Sequence, residues 1–177
     1  MNLLNLGCGG TWGLIEHGWI NFDINPPGSN EATTYIKCDL SKGIPQPDNS
    51  ADGILCSHFY EHLTAPEALV FTRECHRVLK PKGILRISVP DTEKFYNLSM
   101  NHCTDWQEPT PEQSDWMEIA LFFNEHKMVL DKYGLFCFLR VSKFSQWWVM
   151  PYRTSLLNNL AELDNRPLYS VFVEGIK

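Results

Sequence analysis

The chain of 177 residues carries 15 lysines and arginines against 21 aspartates and glutamates, a formal net charge of −6. Its hydrophobic fraction of 44% and charged fraction of 20% are typical of a globular domain and argue against disorder as the main state. No apolar run exceeds five residues, far below the ~18 that a membrane helix needs, and the polar Asn2 after Met1 does not suit a signal peptide. We therefore expect one domain over residues 1–177, soluble and cytoplasmic, without a membrane segment.

Five short apolar stretches in the first half alternate with turn-like or helix-like stretches, a pattern that predicts an α/β protein with a parallel sheet. The predicted strands are Leu3–Leu6, Trp19–Asp23, Thr34–Cys38, Asp52–Ser57 and Ile84–Val89. The first is followed by the glycine turn Gly7-Cys8-Gly9-Gly10, and the next two end at Asp23 and Asp39. Ligands of such sheets bind beyond the carboxyl ends of the strands.

One helix is predicted between the fourth and fifth strands. Thr64–Glu67 has the pattern of a capping box with an early proline, and apolar residues at helical spacing continue to Leu79. Lys80–Gly83 indicates its end. By contrast, only residues 11–18 separate the first two strands, which indicates a crossover of about two helical turns at most.

The pattern changes after Pro90. The polar residues 91–117 predict an excursion over the surface, and helices are predicted at 112–123 and at 125–133, the latter ended by Gly134. The last predicted strands are Leu135–Val141 and Leu168–Val173, with residues 142–167 between them.

The cysteines do not suggest a metal site. All six are scattered, without a CxxC pair or a short Cys/His spacing that would close a zinc site. They are Cys8, Cys38, Cys56, Cys75, Cys103 and Cys137. We therefore expect no metal.

The glycine turn and two aspartates are the first candidates for ligand binding. Glycine lets a ligand approach the backbone, although the same residues also suit a plain tight turn. Asp23 could accept hydrogen bonds from ribose hydroxyls or cap the turn that begins at Asn25. Asp39 could accept from the amine of a purine or cap the turn after it. The nicotinamide fingerprint GxGxxG fails because position 12 is Trp.

Together with further segments, these residues resemble the class I S-adenosylmethionine-dependent methyltransferases in their small single-domain form. The resemblance rests on Leu3–Gly10, Gly18–Asp23, Lys37–Leu40, Ile44–Ile54, Glu61–Leu63 and Arg77–Leu85. It implies a Rossmann-like, seven-stranded, mostly parallel sheet flanked by helices, whose last strand is antiparallel and inserted beside the fifth. Residues 1–90 would be the cofactor half, and residues 91–177 the substrate side.

The resemblance also implies S-adenosylmethionine as cofactor and a set of residues that bind it. The glycine turn would hold the methionine moiety, Asp23 the ribose, and Ile24 the adenine, with Asp39 and Leu40 at the adenine amine. The full set is Leu6, Gly7, Cys8, Gly9, Asp23, Ile24, Asp39, Leu40 and Ser57. Asn5 departs from the family, which commonly has an acid there.

Two histidines are candidate catalytic bases, which a hydroxyl acceptor would need. His58 follows the fourth strand and would lie near the transferable methyl, and His126 is the second candidate. A packing or helix-capping role for His58 is equally compatible with its position.

The acceptor would be bound by residues 91–125 and 142–167. Trp147, Trp148 and Tyr152 lie among four basic residues and could stack on bases or sugars, or form a homo-oligomer interface. An acidic chain argues against extended nucleic-acid binding, so we expect a small-molecule acceptor. A non-catalytic methyltransferase-fold partner subunit is the alternative.

Overall fold

The computed structural model describes residues 1–9, 19–26, 34–102, 125–164 and 166–177. Its strands are β1 (Leu3–Leu6), β2 (Ile20–Asp23), β3 (Thr34–Lys37), β4 (Ala51–Ser57), β5 (Leu79–Pro90), β6 (Gln146–Val149) and β7 (Ser170–Ile176). Its helices are α1 (Ala65–Val78), α2 (Thr92–His102) and α3 (Lys132–Val141), with single 3₁₀ turns at Leu40–Lys42 and Tyr60–His62.

The seven strands form one sheet in the order β3-β2-β1-β4-β5-β7-β6. In this order every neighbouring pair among β3, β2, β1, β4 and β5 is parallel. By contrast, β7 runs antiparallel to both β5 and β6. This confirms the predicted Rossmann-like sheet with an antiparallel strand inserted beside the fifth. The parallel order brings the carboxyl ends of β1 to β5 to one edge.

Both faces of the sheet are covered, which explains the nearly continuous apolar runs of its central strands. On one face α1 and α3 pack against the sheet through side chains such as Phe71, Cys75, Leu135 and Leu139, all fully buried. On the other face the segment 157–163 packs against β1, β4 and β5.

The first predicted helix has the expected start. The backbone amide of Thr64 donates to Glu67 Oε2 over 2.7 Å, as in a capping box. The helix ends at Val78, and β5 begins at Leu79 rather than at Ile84. Since Ala51 pairs with Leu79 and Gly53 with Ile84, residues 80–83 bulge out between these two pairs.

The predicted strand Leu135–Val141 is wrong, because these residues form most of α3. Asp131 caps this helix, accepting a hydrogen bond from the Gly134 amide over 2.8 Å. Leu135 and Leu139, four residues apart, then face the core together. A short apolar run is compatible with a buried strand and with a buried helix, so the spacing of its apolar residues does not distinguish the two structures.

The predicted helix 125–133, ended by Gly134, is also wrong. Residues 126–131 are not helical, and Gly134 lies in the first turn of α3. The amides of Lys127 and Met128 donate to the carbonyl of Glu61 over 2.7 and 3.1 Å, and Leu130 forms a β-bridge with Asp91. These backbone groups find their partners in distant segments, and that tertiary pairing replaces the helix.

The second half contains two further elements that the sequence pattern did not predict. Residues 92–102 form α2, where a surface excursion was expected, and residues 146–149 form the edge strand β6. On β6, Trp147 packs against the core, while Trp148 is 41% exposed. The predicted helix 112–123 and the crossover 11–18 lie outside the described residues.

Among the described residues, no helix combines the length and hydropathy that crossing a membrane requires.

Candidate functional site

A cavity of about 420 Å³ lies at the carboxyl ends of β2, β3 and β4, within the usual size range for small-molecule sites. Its lining residues come from these strand ends, from the turn after β4 and from the segment that precedes α3. They are Asp23, Ile24, Cys38, Asp39, Leu40, Ser41, Phe59, His62, Leu63, Glu67, Glu125 and Lys127. Four of the residues predicted from the sequence to bind a cofactor are among them.

The glycine turn lies against this cavity's wall. Gly7 has a φ of +73°, and a Cβ atom there would lie 2.5 Å from the ring of Phe59, itself a lining residue. The position therefore requires glycine for both conformation and space. Leu6 and Cys8 beside it are buried, and burial is the main cause that raises the pKa of the Cys8 thiol to about 12. That thiol is thus protonated at neutral pH and is not a nucleophile.

Asp23 connects the glycine turn with the end of β2. Its Oδ2 accepts from the Gly9 amide over 2.7 Å, and its Oδ1 accepts from the Asn25 amide over 2.9 Å. The turn-capping role left open by the sequence is therefore present. A carboxylate has about four acceptor positions, so two hydroxyl donors can still bind to it. Next to it, Ile24 is 55% exposed and offers an apolar surface to the cavity.

Asp39 caps the 3₁₀ turn that follows β3. Its Oδ1 accepts from the Ser41 hydroxyl over 2.6 Å and from the Ser41 amide over 3.1 Å, and its Oδ2 lies 2.9 Å from Lys42 Nζ. These hydrogen bonds lower the pKa of Asp39 to about 2, and the bond from the Ser41 hydroxyl contributes most to this shift. The carboxylate is therefore ionised at any physiological pH. Leu40 is almost fully buried beneath the same cavity.

The cavity is acidic. Among the described residues that line it are four carboxylates and one lysine, namely Asp23, Asp39, Glu67, Glu125 and Lys127. A ligand that carries positive charge is therefore favoured over an anionic one.

His58, the first candidate base, lies directly after β4 as predicted. Its side chain is 7% exposed, and both ring nitrogens are engaged: Nδ1 lies 3.2 Å from Glu61 Oε1, and Nε2 lies 2.9 Å from Ser170 Oγ. Its φ of +51° is uncommon for a residue with a side chain. Ser57 Oγ accepts from Ser88 Oγ over 2.9 Å, and neither Ser57 nor His58 is among the described cavity-lining residues.

His126, the second candidate base, lies with Glu61 and His62. The rings of His62 and His126 have centroids 5.0 Å apart, and ligand-type atoms of all three residues lie within 4.8 Å of one another. The pKa of His62 is lowered from its ordinary value, and burial of the ring is the main cause. In the sequence analysis Glu61 and His62 contributed only to the family resemblance, although the Glu-His pair just after a strand was a signal of a polar site.

Two of the other cavities among the described residues differ in their relation to the predicted site residues. One of about 490 Å³ is lined by residues between Arg153 and Glu162 and contains none of the predicted site residues. Another, of about 10 Å³, lies between Glu61, His126 and the start of α2 and has room for about one water molecule.

Comparisons with known proteins support the fold described above. Residues 4–87 match the family model of a methyltransferase domain. No curated protein sequence matches the chain. Among solved structures, an S-adenosylmethionine-dependent methyltransferase from Mesorhizobium loti aligns with a TM-score of 0.61 and 17% identity, over 99% of this chain and 90% of that one. A second, from Archaeoglobus fulgidus, aligns with a TM-score of 0.60 and 17% identity, over 99% and 86% of the two chains. At such identities these structures show a shared fold.

Proposed function

We propose that this chain, which belongs to the class I S-adenosylmethionine-dependent methyltransferase family, transfers the methyl group to a small-molecule acceptor. The observation that carries the proposal is the acidic cavity at the strand ends, with its four carboxylates and one lysine. It suits a cofactor with a positively charged sulfonium and repels a polyanionic acceptor. The proposal concerns the acceptor and the roles of individual residues.

The cofactor's nucleoside would bind to the ends of β2 and β3. Asp23 has acceptor positions left for the two ribose hydroxyls, and the exposed Ile24 would pack on the adenine ring. Asp39 and Leu40 would lie at the adenine amine. The methionine moiety would lie along the turn formed by Gly7 and its neighbours Leu6, Cys8 and Gly9, whose shape depends on the positive φ of the two glycines.

S-adenosylmethionine supplies an activated methyl group for an in-line displacement. The chain's own residues must then orient the two reactants and exclude water. Ser57 would lie nearest to the methyl, at the end of β4. The acceptor side would be formed by Glu61, His62 and His126. His58, with both ring nitrogens engaged, would act as a positioning residue that holds Glu61 Oε1.

A small acceptor agrees with the charge distribution around the cavity. The four basic residues Lys132, Arg140, Lys143 and Arg153 are not among the lining residues. A polynucleotide would need a continuous basic path to the methyl group, and the net charge of −6 works against one.

Calorimetry with S-adenosylhomocysteine, and NAD as the control ligand, tests the cofactor assignments. We expect the first to bind and NAD to give no heat. For the acceptor, fluorescence anisotropy with labelled RNA and DNA oligonucleotides at about 150 mM salt should show no binding, whereas radiolabelled methyl transfer should appear with a panel of small molecules. Tight oligonucleotide binding, or methylation of a nucleic acid, would contradict the proposal.

A further inference from the structure

We propose that Glu61, His62 and His126 form a binding site for one divalent first-row transition-metal ion at the edge of the cofactor cavity, where the ion would hold an oxygen atom of the acceptor. The candidate ligand atoms of these three residues lie within 4.8 Å of one another. Binding of the ion does not depend on the proposed function, whereas the role of the ion in holding the acceptor rests on it.

The strongest observation is a buried carboxylate oxygen. The Glu61 side chain is 2% exposed, and only its Oε1 is paired, with His58 Nδ1 at 3.2 Å. Its Oε2 is buried and has no hydrogen-bond partner among the described residues. Buried polar atoms are nearly always satisfied, and an unpartnered carboxylate oxygen is especially unfavourable. A cation beside Oε2 would supply the missing partner.

Two imidazoles lie next to this oxygen. His62 and His126 are half-buried, with ring centroids 5.0 Å apart at an interplanar angle of 74°. Neutral imidazole is a common ligand of transition-metal ions, so the pair can supply two ligand atoms beside the Glu61 carboxylate.

The backbone holds the three residues together although they are distant in sequence. Glu61 and His62 belong to the 3₁₀ turn after β4, whereas His126 lies in the segment that leads to α3. The carbonyl of Glu61 accepts from both the Lys127 and the Met128 amides, at 2.7 and 3.1 Å. His126 is therefore fixed beside Glu61 by its immediate neighbours.

The position of the cluster suits contact with an acceptor. His62 lines the cavity of about 420 Å³, whereas Glu61 and His126 line the adjacent cavity of about 10 Å³ at the start of α2. An ion between these side chains would thus lie between the cofactor cavity and the part of the chain expected to bind the acceptor.

The ligand set indicates the class of ion. One carboxylate and two imidazoles leave coordination positions open for water or substrate, and imidazole favours transition metals over Mg²⁺ or Ca²⁺. With both imidazoles neutral, a divalent ion and one carboxylate leave a local charge of about +1. We therefore infer an acceptor that carries a hydroxyl oxygen.

In the reaction the ion would lower the pKa of that hydroxyl, whose proton would pass to solvent. The resulting oxygen anion would form a bond to the methyl carbon. The bond between that carbon and sulfur would break, and its electron pair would remain on sulfur, which gives S-adenosylhomocysteine and a methyl ether.

The test is a calorimetric titration of the EDTA-treated full chain with Co²⁺, with visible absorption recorded in parallel. We expect one ion per chain and Co²⁺ bands typical of mixed nitrogen and oxygen ligands. A hundredfold excess of Mg²⁺ should not displace the ion.

Variants locate the site. Glu61→Gln and His126→Ala should each weaken Co²⁺ binding by about tenfold or more. The matched control is His76→Ala on α1, whose ring faces Phe144 and lies outside the cluster. It should leave Co²⁺ affinity unchanged. Because the buried Glu61 is more sensitive to substitution, His126→Ala decides the test if Glu61→Gln does not fold.

Absence of Co²⁺ binding, or binding that His126→Ala leaves intact, would overturn the inference. Displacement by Mg²⁺ would overturn the class of ion. Calorimetry with S-adenosylhomocysteine on the same samples separates the two proposals: its binding without Co²⁺ binding refutes only the metal site, and Co²⁺ binding without it refutes only the proposed function.

Discussion

The backbone amide of Gly9 donates to Asp23 Oδ2 over 2.7 Å, which joins the glycine turn after β1 to the end of β2. The other oxygen of the same carboxylate accepts from the Asn25 amide. One side chain therefore fixes the shape of two strand ends and still presents acceptor positions to the cavity. The proposed binding role of Asp23 is therefore combined with a structural one, and experiments on it need a stability measurement beside the affinity.

Asp23→Ala should weaken S-adenosylhomocysteine binding by about tenfold or more, because charge-assisted hydrogen bonds to the ribose are lost. The loss of the Gly9 and Asn25 contacts should also lower the Tm, by about 2–4 °C for each kcal/mol. Calorimetry and thermal unfolding measure the two effects. Asp48→Ala removes an exposed carboxylate that pairs with Arg77 away from the cavity, and it should leave affinity unchanged. Equal affinity in Asp23→Ala would remove the ribose role.

Gly7→Ala should destabilise the fold by about 1–3 kcal/mol, measured by urea unfolding. The new Cβ would combine a φ of +73° with a contact of 2.5 Å to the Phe59 ring. The control is Gly134→Ala in the first turn of α3, where the Cβ would lie 3.3 Å from the flexible end of Leu130 and 3.6 Å from Asp131 Oδ1, which is ordinary contact. There alanine's better helix propensity should keep stability equal or raise it. Similar losses in both variants would contradict the steric argument.

Arg86→Met should cost about 3–5 kcal/mol, because it leaves two buried carboxylates without their cation. Arg86 is fully buried on β5, and its guanidinium donates to Asp164 Oδ1 and to Glu174 Oε1, both over 2.8 Å. Lys80→Met breaks a partly exposed pair with Asp52 and should cost less than about 1 kcal/mol. Urea unfolding of both variants measures the difference, and equal costs would show that burial does not govern the effect.

Ser41→Ala should raise the pKa of Asp39 toward its usual value of 3.8, because the hydrogen bond from the Ser41 hydroxyl is the main cause of its low value. A folded-state pKa of about 2 means that Asp39 stabilises the wild type above about pH 4 and loses this contribution as the pH falls toward 2. In the variant the loss should begin at the same pH, end at a higher pH than in the wild type, and be smaller in total.

An NMR titration of the Asp39 carboxyl carbon measures this change directly. Ser50→Ala, which removes a hydroxyl that donates to the Pro47 carbonyl, is the matched control and should leave the titration unchanged. Identical midpoints for Asp39 in wild type and Ser41→Ala would show that the Ser41 hydroxyl does not contribute to the low pKa.

The sequence by itself determined the first half of the fold. The strands from β1 to β5, the capping box at Thr64, and the placing of Gly7, Asp23 and Asp39 at strand ends follow from local patterns of apolar, turn and capping residues. Such patterns act within a few residues of the chain, so a sequence displays them directly.

Only the tertiary structure decided the second half and the cluster at Glu61. The run from Leu135 to Leu139 fits either a helix or a strand, and it became α3 because Asp131 caps it and its face packs on the core. Residues 126–131 do not form the predicted helix, because the amides of Lys127 and Met128 donate to the carbonyl of Glu61. That pairing brings His126 beside His62, and no local pattern encodes a contact between segments so far apart in the chain.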